Sequence, residues 1–335
     1  MIRIDGSKGG GQMLRTALTL SAIRGESFKI KNIRGNRNNP GLKRQHLKCV
    51  ETVERLCNAE VEGAEQGSEE LIFKPGELSA ENFTVNIGTA GSLTLLLDTV
   101  LPLATQFDKV FRLTVKGGTD VKWSPAFEYL RQVKLPLLEQ FGFKADLELE
   151  SSGFYPEGGG EATLKTEKFS MEPVVLKRRG ELQGFELFSK ASRELEEQRV
   201  ADRQAGEAAR KLKNSHVSRP VEKTVDYEET ASVGSSLVLK AVYEESLAGF
   251  DALGERGKSS EEVAKEAVKQ FKSFSSTDAA VDRHMADQLI IFLAVVGGEI
   301  CVPEVTDHIQ TSLEVVEAFG CDVRFDSSEV VRIFK

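Results

Sequence analysis

At 335 residues the chain is too long for one small core, so two domains, or one large domain carrying an insertion, are expected. Hydrophobic residues at 40% and charged residues at 29% are ordinary for a soluble globular protein; the longest apolar run, Leu289 to Val296, is far too short to cross a bilayer, and the opening MIRIDGSKGG has no apolar signal-peptide core, so a cytosolic location, or a nuclear one in a eukaryote, is expected. A net charge of −8 argues against a protein that coats nucleic acid, and Cys49, Cys57, Cys301 and Cys321 form no Cys-x-x-Cys pair, which leaves neither a zinc-knuckle nor a redox motif and points to buried thiols.

The chain opens with a short strand, MIRI, and a glycine turn, Gly9-Gly10-Gly11, before a helix starting near Gln12. Such a turn either presents backbone N–H groups to an anion at the helix N-terminus or serves only as a sharp bend. Arg15 lies one turn into that helix, and the spacing is not that of a Walker A loop. From Arg24 to Lys48 the bases Arg24, Lys29, Lys31, Arg34, Arg37, Lys43, Arg44 and Lys48 face a single acid, Glu26. Arg34 and Arg37 fall in a loop ended by Pro40 and Gly41, and Arg44, Gln45 and His46 open the next helix. Guanidinium forks there suit an oxyanion clamp; the bland alternative is a surface turn whose arginines cap carbonyls. Cys49, Val50, Val53, Leu56 and Cys57 form the apolar stripe of that helix.

The pattern then repeats. A turn and an apolar helix at 5–23 recur at 86–104 and at 282–298, and each is followed by an amphipathic helix. The second amphipathic stripe is Phe127, Leu130, Leu137, Leu138 and Phe141; the third is Ile309, Leu313, Val316 and Phe319. Alternating strands follow, Phe143, Ala145, Leu147 and Leu149 facing one way, then Cys321, Val323 and Phe325. Three sheet-plus-two-helix units around a shared centre, an α/β (α+β) fold, satisfy this rhythm. Residues 181–275 break it. A strand (LQGFELF), a highly charged helix whose charges suggest a solvated face, a second strand (SSLVLKAVYE) and the helix SEEVAKEAVKQFKSF read as a smaller α/β module between the second and third repeats.

In GGTDVKWSPAFEYLRQ, Asp120, Trp123 and Pro125 are candidates to line a ligand pocket, although a lone tryptophan ordinarily just packs. Near the end, Thr306 or Asp307 caps a helix on which His308 lies off the apolar stripe. The helix dipole there favours a bound phosphate, and imidazole is a nucleophile; the alternative is a plain exposed histidine.

DGSKGGGQMLRTALTLS, IRGNRNNPGLKRQHL, GTAGSLTLLLDTVLP, GGTDVKWSPAFEYLR, GFYPEGGGEA, ADQLIIFLA and DHIQTSLEVVEAFG, in this order, span all but the middle module, and together they resemble the RNA 3′-terminal phosphate cyclase family. The resemblance implies three repeats of a four-stranded sheet with two helices (residues 1–180 and 276–335) plus an inserted α/β domain (181–275). It implies ATP as substrate, a divalent ion, magnesium or manganese, and an RNA 3′-phosphate end as partner. The implied product is a 2′,3′-cyclic phosphate, made through a histidine–AMP adduct and an RNA adenylate. His308 matches the nucleophile, and Arg15, Arg34, Arg37 and Gln45 match phosphate contacts. Pro125 matches a residue stacked on the adenine, and His284 stands where a bacterial member has a tyrosine on the other face. Asp287 and Gln288 match positions beside the nucleotide. The first motif departs from the family. Gly-Glu-Gly-Gly-Gly-Gln is usual, its glutamate helping to hold the metal, but here Ser7-Lys8-Gly9-Gly10-Gly11-Gln12 is two residues shorter and has no acid. The family also has non-catalytic relatives that act in ribosome assembly, and the carboxyvinyl transferases share the repeat but not these motifs.

Overall fold

A computed structural model describes residues 1–213, 219–327 and 330–335. A βαβαββ order recurs in it. The first unit runs β1 (Ile2–Asp5), α1 (Gly11–Arg24), β2 (Phe28–Lys31), α2 (Arg44–Cys57), β3 (Glu60–Glu62) and β4 (Leu71–Lys74), in sheet order β1-β2-β4-β3 with β1 and β2 parallel. The second runs β5 (Phe83–Asn86), α3 (Leu93–Val100), β6 (Phe111–Gly117), a long helix, β7 (Ala145–Ser151) and β8 (Gly160–Thr166), in order β5-β6-β8-β7. That long helix is α4 (Phe127–Tyr129), a π turn (Leu130–Lys134) and α5 (Leu135–Glu139). Pro136 has no N–H for the carbonyl four residues back, and the wider turn absorbs the mismatch.

The third unit opens with β9 (Val174–Leu176) and is interrupted by β10 (Leu182–Ser192), α6 (Val200–Lys213), β11 (Val221–Glu228), β12 (Ser235–Tyr243), β13 (Leu247–Leu253) and α7 (Ser260–Ser275). It resumes with α8 (Arg283–Val296), β14 (Gly298–Cys301), α9 (Asp307–Ala318), β15 (Arg324–Asp326) and β16 (Arg332–Phe334). Its sheet order is β15-β16-β14-β9, with β9 parallel to β14. The module therefore lies inside the third repeat rather than between the second and third. A three-residue strand before a basic turn carries no periodic signal, so only the pairing with β14 exposes this. The module also holds a four-stranded sheet, β11-β10-β12-β13, with two more strands than its pattern suggests. Edge strand β11, VEKTVDYE, is mostly exposed and too charged to show an apolar alternation.

The cores follow the patterns. Helix α1 is apolar nearly all round because it packs against α2, α3 and α9 at once. Leu14, Ala17 and Leu18 on it are wholly enclosed, and Leu18→Ala would cost about 2–5 kcal/mol. The stripes of α2 and α9 are buried as their spacing requires, and so are all four cysteines. Helix α6 is more than a solvated face: Ala201, Ala205, Ala208 and Leu212 bury a narrow stripe against the module's sheet. Phe325 departs from expectation. It is 48% exposed while Cys321 and Val323 are buried, because β15 begins only at Arg324 and is an edge strand. No helix among the described residues is long and apolar enough to cross a membrane.

Candidate active site

The helices of the three units converge on one cleft of about 980 Å³, and the inserted module supplies its far wall. Arg15, Arg34, Arg37, Gln45, Pro125, His284, Asp287, Gln288 and His308 all line it, although they come from six separate stretches of chain.

One end is built by α1 and α2. Gly10 and Gly11 line the cleft, and Gly10 caps α1 without a side-chain acceptor, so the first-turn amides remain available to an anion. Gly11 has a packing reason too. A Cβ there would sit 2.1 Å from His46 Nε2. His46 is a cleft residue whose role its position in the sequence did not suggest; the only hint was its place in the first turn beside Gln45. Its Nδ1 accepts the Lys43 amide at 3.1 Å, so the remaining proton sits on Nε2, towards Gly11. Burial, then Arg15, Arg34 and Lys43, push its pKa from 6.5 down to about 3, so the imidazole is neutral across the physiological range.

Among the described residues Arg15 and Arg37 have no acid partner, and a Cβ on Gly10 would lie 3.3 Å from Arg37 Nη2. Arg34 serves two purposes. Its Nη1 donates to the Asn39 and Gly41 carbonyls at 2.9 and 2.8 Å, holding the loop closed, while its side chain still faces the cleft. Burial and the neighbouring Arg37 both lower its pKa. Gln45 Oε1 accepts the Ser92 amide at 3.0 Å, which fixes the start of α2 against the N-cap of α3 and leaves the Gln45 NH2 as its donor to the cleft.

The opposite side of that end is α9. Thr306 caps it, its hydroxyl accepting the Ile309 amide at 3.2 Å, and His308 projects into the cleft with a side chain 59% exposed. Two contacts orient the imidazole. Gln12 Nε2 donates to the His308 carbonyl at 2.5 Å and lies 2.6 Å from Ser312 Oγ, locking α9 to α1. Asp287 Oδ2 lies 3.4 Å from His308 Nδ1, so the carboxylate holds one nitrogen and leaves Nε2 for chemistry. The Gln12 and Gln288 Oε1 atoms are buried with no hydrogen-bond partner among the described residues.

Asp282 organises the third region. It is buried, caps α8, and accepts from the His284, Met285 and Gly249 amides and from the Tyr129 hydroxyl. Burial raises its pKa against those donors. It thereby ties α8, which carries His284, to the inserted strand β13. On β13, Asp251 accepts the Ala126 amide at 2.7 Å, beside Pro125. Burial raises the Asp251 pKa; the Ala126 amide and His284 oppose the rise, and Asp120 and Asp282 add to it. Asp120 itself is enclosed behind the cleft, hydrogen-bonded to Thr119, and does not line it as expected. Trp123 does not pack at all: it stands at the rim, 93% exposed.

No group of three His, Cys, Asp or Glu side chains among the described residues is placed to hold a metal ion. Lys8, in the shortened first motif, brings an ammonium that pairs with Glu314 at 3.4 Å, and a protonated lysine has no lone pair to donate. These residues do not fit a resident metal centre.

An open helix terminus, unpaired guanidinium groups and an oriented imidazole around one cleft are the equipment of a protein that transfers phosphate-containing groups. The sequence matches the family described as RNA 3′-terminal phosphate cyclase over residues 7–326. A protein of Halobacterium salinarum named RNA 3′-terminal phosphate cyclase is 41% identical over 338 residues, covering 97% of this chain and 97% of that protein. One of Saccharolobus islandicus with the same name is 43% identical over 332 residues, covering 98% and 96%. Another, of Saccharolobus solfataricus, is 42% identical over 331 residues with the same coverage. The chain belongs to the RNA 3′-terminal phosphate cyclase family.

Proposed function

We propose that the protein uses ATP to convert an RNA 3′-phosphate end into a 2′,3′-cyclic phosphate, with His308 as the covalent nucleophile. The observation that carries this reading is the position of His308: Nδ1 is held near Asp287, the backbone is locked by Gln12, and the ring shares a cleft with three arginines. Phosphate monoesters lack a good leaving group, and adenylylation supplies one. First, His308 Nε2 attacks the α-phosphorus of ATP; the bond to the β-phosphate oxygen breaks and pyrophosphate leaves. Next, a terminal oxygen of the RNA 3′-phosphate attacks the same phosphorus and the bond to His308 breaks. Finally, the adjacent 2′-hydroxyl loses its proton and attacks the RNA phosphorus, and AMP departs with the electron pair of the anhydride bond.

In this scheme Arg15, Arg34 and Arg37 neutralise phosphate oxygens and the Gln45 amide donates a hydrogen bond to one, Pro125 and His284 flank the adenine, and Asp287 and Gln288 lie beside the nucleotide. No step is routed through a metal, because no group of three ligating side chains among the described residues makes a site for one. We further propose a discontinuous division of the chain, residues 1–180 with 276–335 forming the catalytic repeats and 181–275 the inserted domain. The separate apolar cluster built around Phe185, Leu239, Phe250 and Phe271 supports it.

The test is incubation with α-labelled ATP and magnesium or manganese, then denaturing electrophoresis. Acid-labile label on the wild type and none on His308→Ala is the expected result. Label at full level on the variant would assign the nucleophile elsewhere. An unlabelled wild type would leave a binding protein on the cyclase fold.

A further inference from the structure

We propose that Trp123 is a stacking platform for the terminal nucleobase of the RNA strand. This rests on the RNA-processing reading above and extends it to how the strand end is held.

Two observations converge on this residue. Its side chain is 93% exposed at the rim of the cleft, whereas large aromatic side chains ordinarily find cover. Its backbone is in the left-handed region, with φ 63°, which is an outlier for a bulky residue. Such strain persists only where the surroundings impose it, and it concentrates at ligand clamps.

The surroundings do impose it. Ser124 Oγ donates to the Val121 carbonyl at 2.8 Å, and Thr94 Oγ1 donates to the Pro125 carbonyl at 2.9 Å. The Ala126 amide is held by Asp251, and Lys122 pairs with Glu255 of the inserted module at 2.8 Å. The backbone on the C-terminal side of Trp123 is tied to the second repeat through Thr94 and to the module through Asp251. The indole is turned outwards. A ring carried on a fixed backbone, with its faces open to solvent, is placed to receive a flat partner.

The chemistry of the rim selects that partner. The charged side chains there cancel in pairs, Lys122 with Glu255 and Lys258 with Glu266, so this wall does not compete with the arginine end for phosphate. A strand whose 3′-phosphate lies among the arginines must carry its last base outwards along the cleft. Single-stranded RNA ends are recognised by stacking such splayed bases on aromatic rings, which tolerates any base because each has a π face.

The chain has one tryptophan, so its intrinsic emission reports on this position alone. A short RNA bearing a 3′-phosphate would be titrated into the full-length protein without ATP, following emission and shielding from acrylamide. Quenching and shielding by the RNA are expected, together with little response to α,β-methylene-ATP alone. The reverse pattern would place Trp123 on the nucleotide's adenine and overturn the proposal. Affinity measured by anisotropy should fall about tenfold or more in Trp123→Ala and stay within about threefold in Trp123→Phe. An oligonucleotide with an abasic terminal residue should bind the wild type and Trp123→Ala alike. Equal affinity of all three proteins for the intact RNA would sink the idea. These arms contain no hydrolysable ATP, so a failure of stacking and a failure of His308 labelling are read separately.

Discussion

The two walls of the cleft differ in how they treat charge. The wall made by the repeats pairs Lys134 with Asp98 but leaves Arg15 and Arg37 without an acid partner among the described residues, and the α1 N-terminus has no side-chain cap. The opposite wall, made by the inserted module together with the loop of the second repeat that carries Lys122, pairs its charges through Lys122–Glu255 and Lys258–Glu266. One side presents unpaired guanidinium groups, and the other presents the exposed Trp123 ring of the second repeat beside the module's buried Asp251. The lesson is that a net charge of −8 says little about a nucleic-acid enzyme, because affinity depends on where charge is left unpaired.

The sharpest way to break the comparison is at the reactive end. His308→Ala should abolish covalent AMP labelling, while its folding free energy shifts by no more than about 0.5 kcal/mol, since the side chain is largely exposed. A parallel loss of structure by circular dichroism would make the residue structural instead.

His46 gives the next largest effect. Its folded pKa is depressed, so the unfolded chain takes up a proton below about 6.5 while the folded chain does not until about 3. Stability from this group is therefore present above pH 6.5 and is lost as pH falls towards 3, by up to about 1.4 kcal/mol per pH unit. Urea unfolding between pH 4 and 7 should show a steeper acid loss for the wild type than for His46→Gln. Identical slopes would mean that the imidazole is not held neutral.

Arg37→Ala should weaken ATP binding by about 1.5–3 kcal/mol, the range for a hydrogen bond to a charged group, with the melting temperature unchanged. Equal losses in binding and stability would make it a loop-closing arginine like Arg34. Smallest is Lys122→Ala, which removes an exposed ion pair worth about 0–1 kcal/mol and should leave ATP affinity intact. A large drop in ATP affinity there would end the contrast between the walls.

Much of this was legible along the chain. The cap at Thr306, the off-stripe placement of His308, the glycine turn and the arginine loop are local, set by neighbours within a turn or two. The buried stripes of α2 and α9 followed from helical period, while the second stripe runs through a π turn and leaves Phe141 half-buried. What escaped lacked a local signature. Strand β9 is three residues long, and β11 is an edge strand masked by charge. Asp120 and Pro125 are five positions apart in one loop, yet one is buried behind the cleft and the other lines it.

The sequence by itself determined the repeat rhythm, the apolar faces, the helix caps and the kind of side chain presented at each turn, because periodicity and capping are properties of short segments. Only the tertiary structure decided that the module interrupts the third repeat, that His46 is kept neutral beneath two arginines, and that Trp123 faces outwards. Those outcomes depend on contacts between residues far apart in the chain, where desolvation, strand pairing and strain are set by what another segment brings alongside.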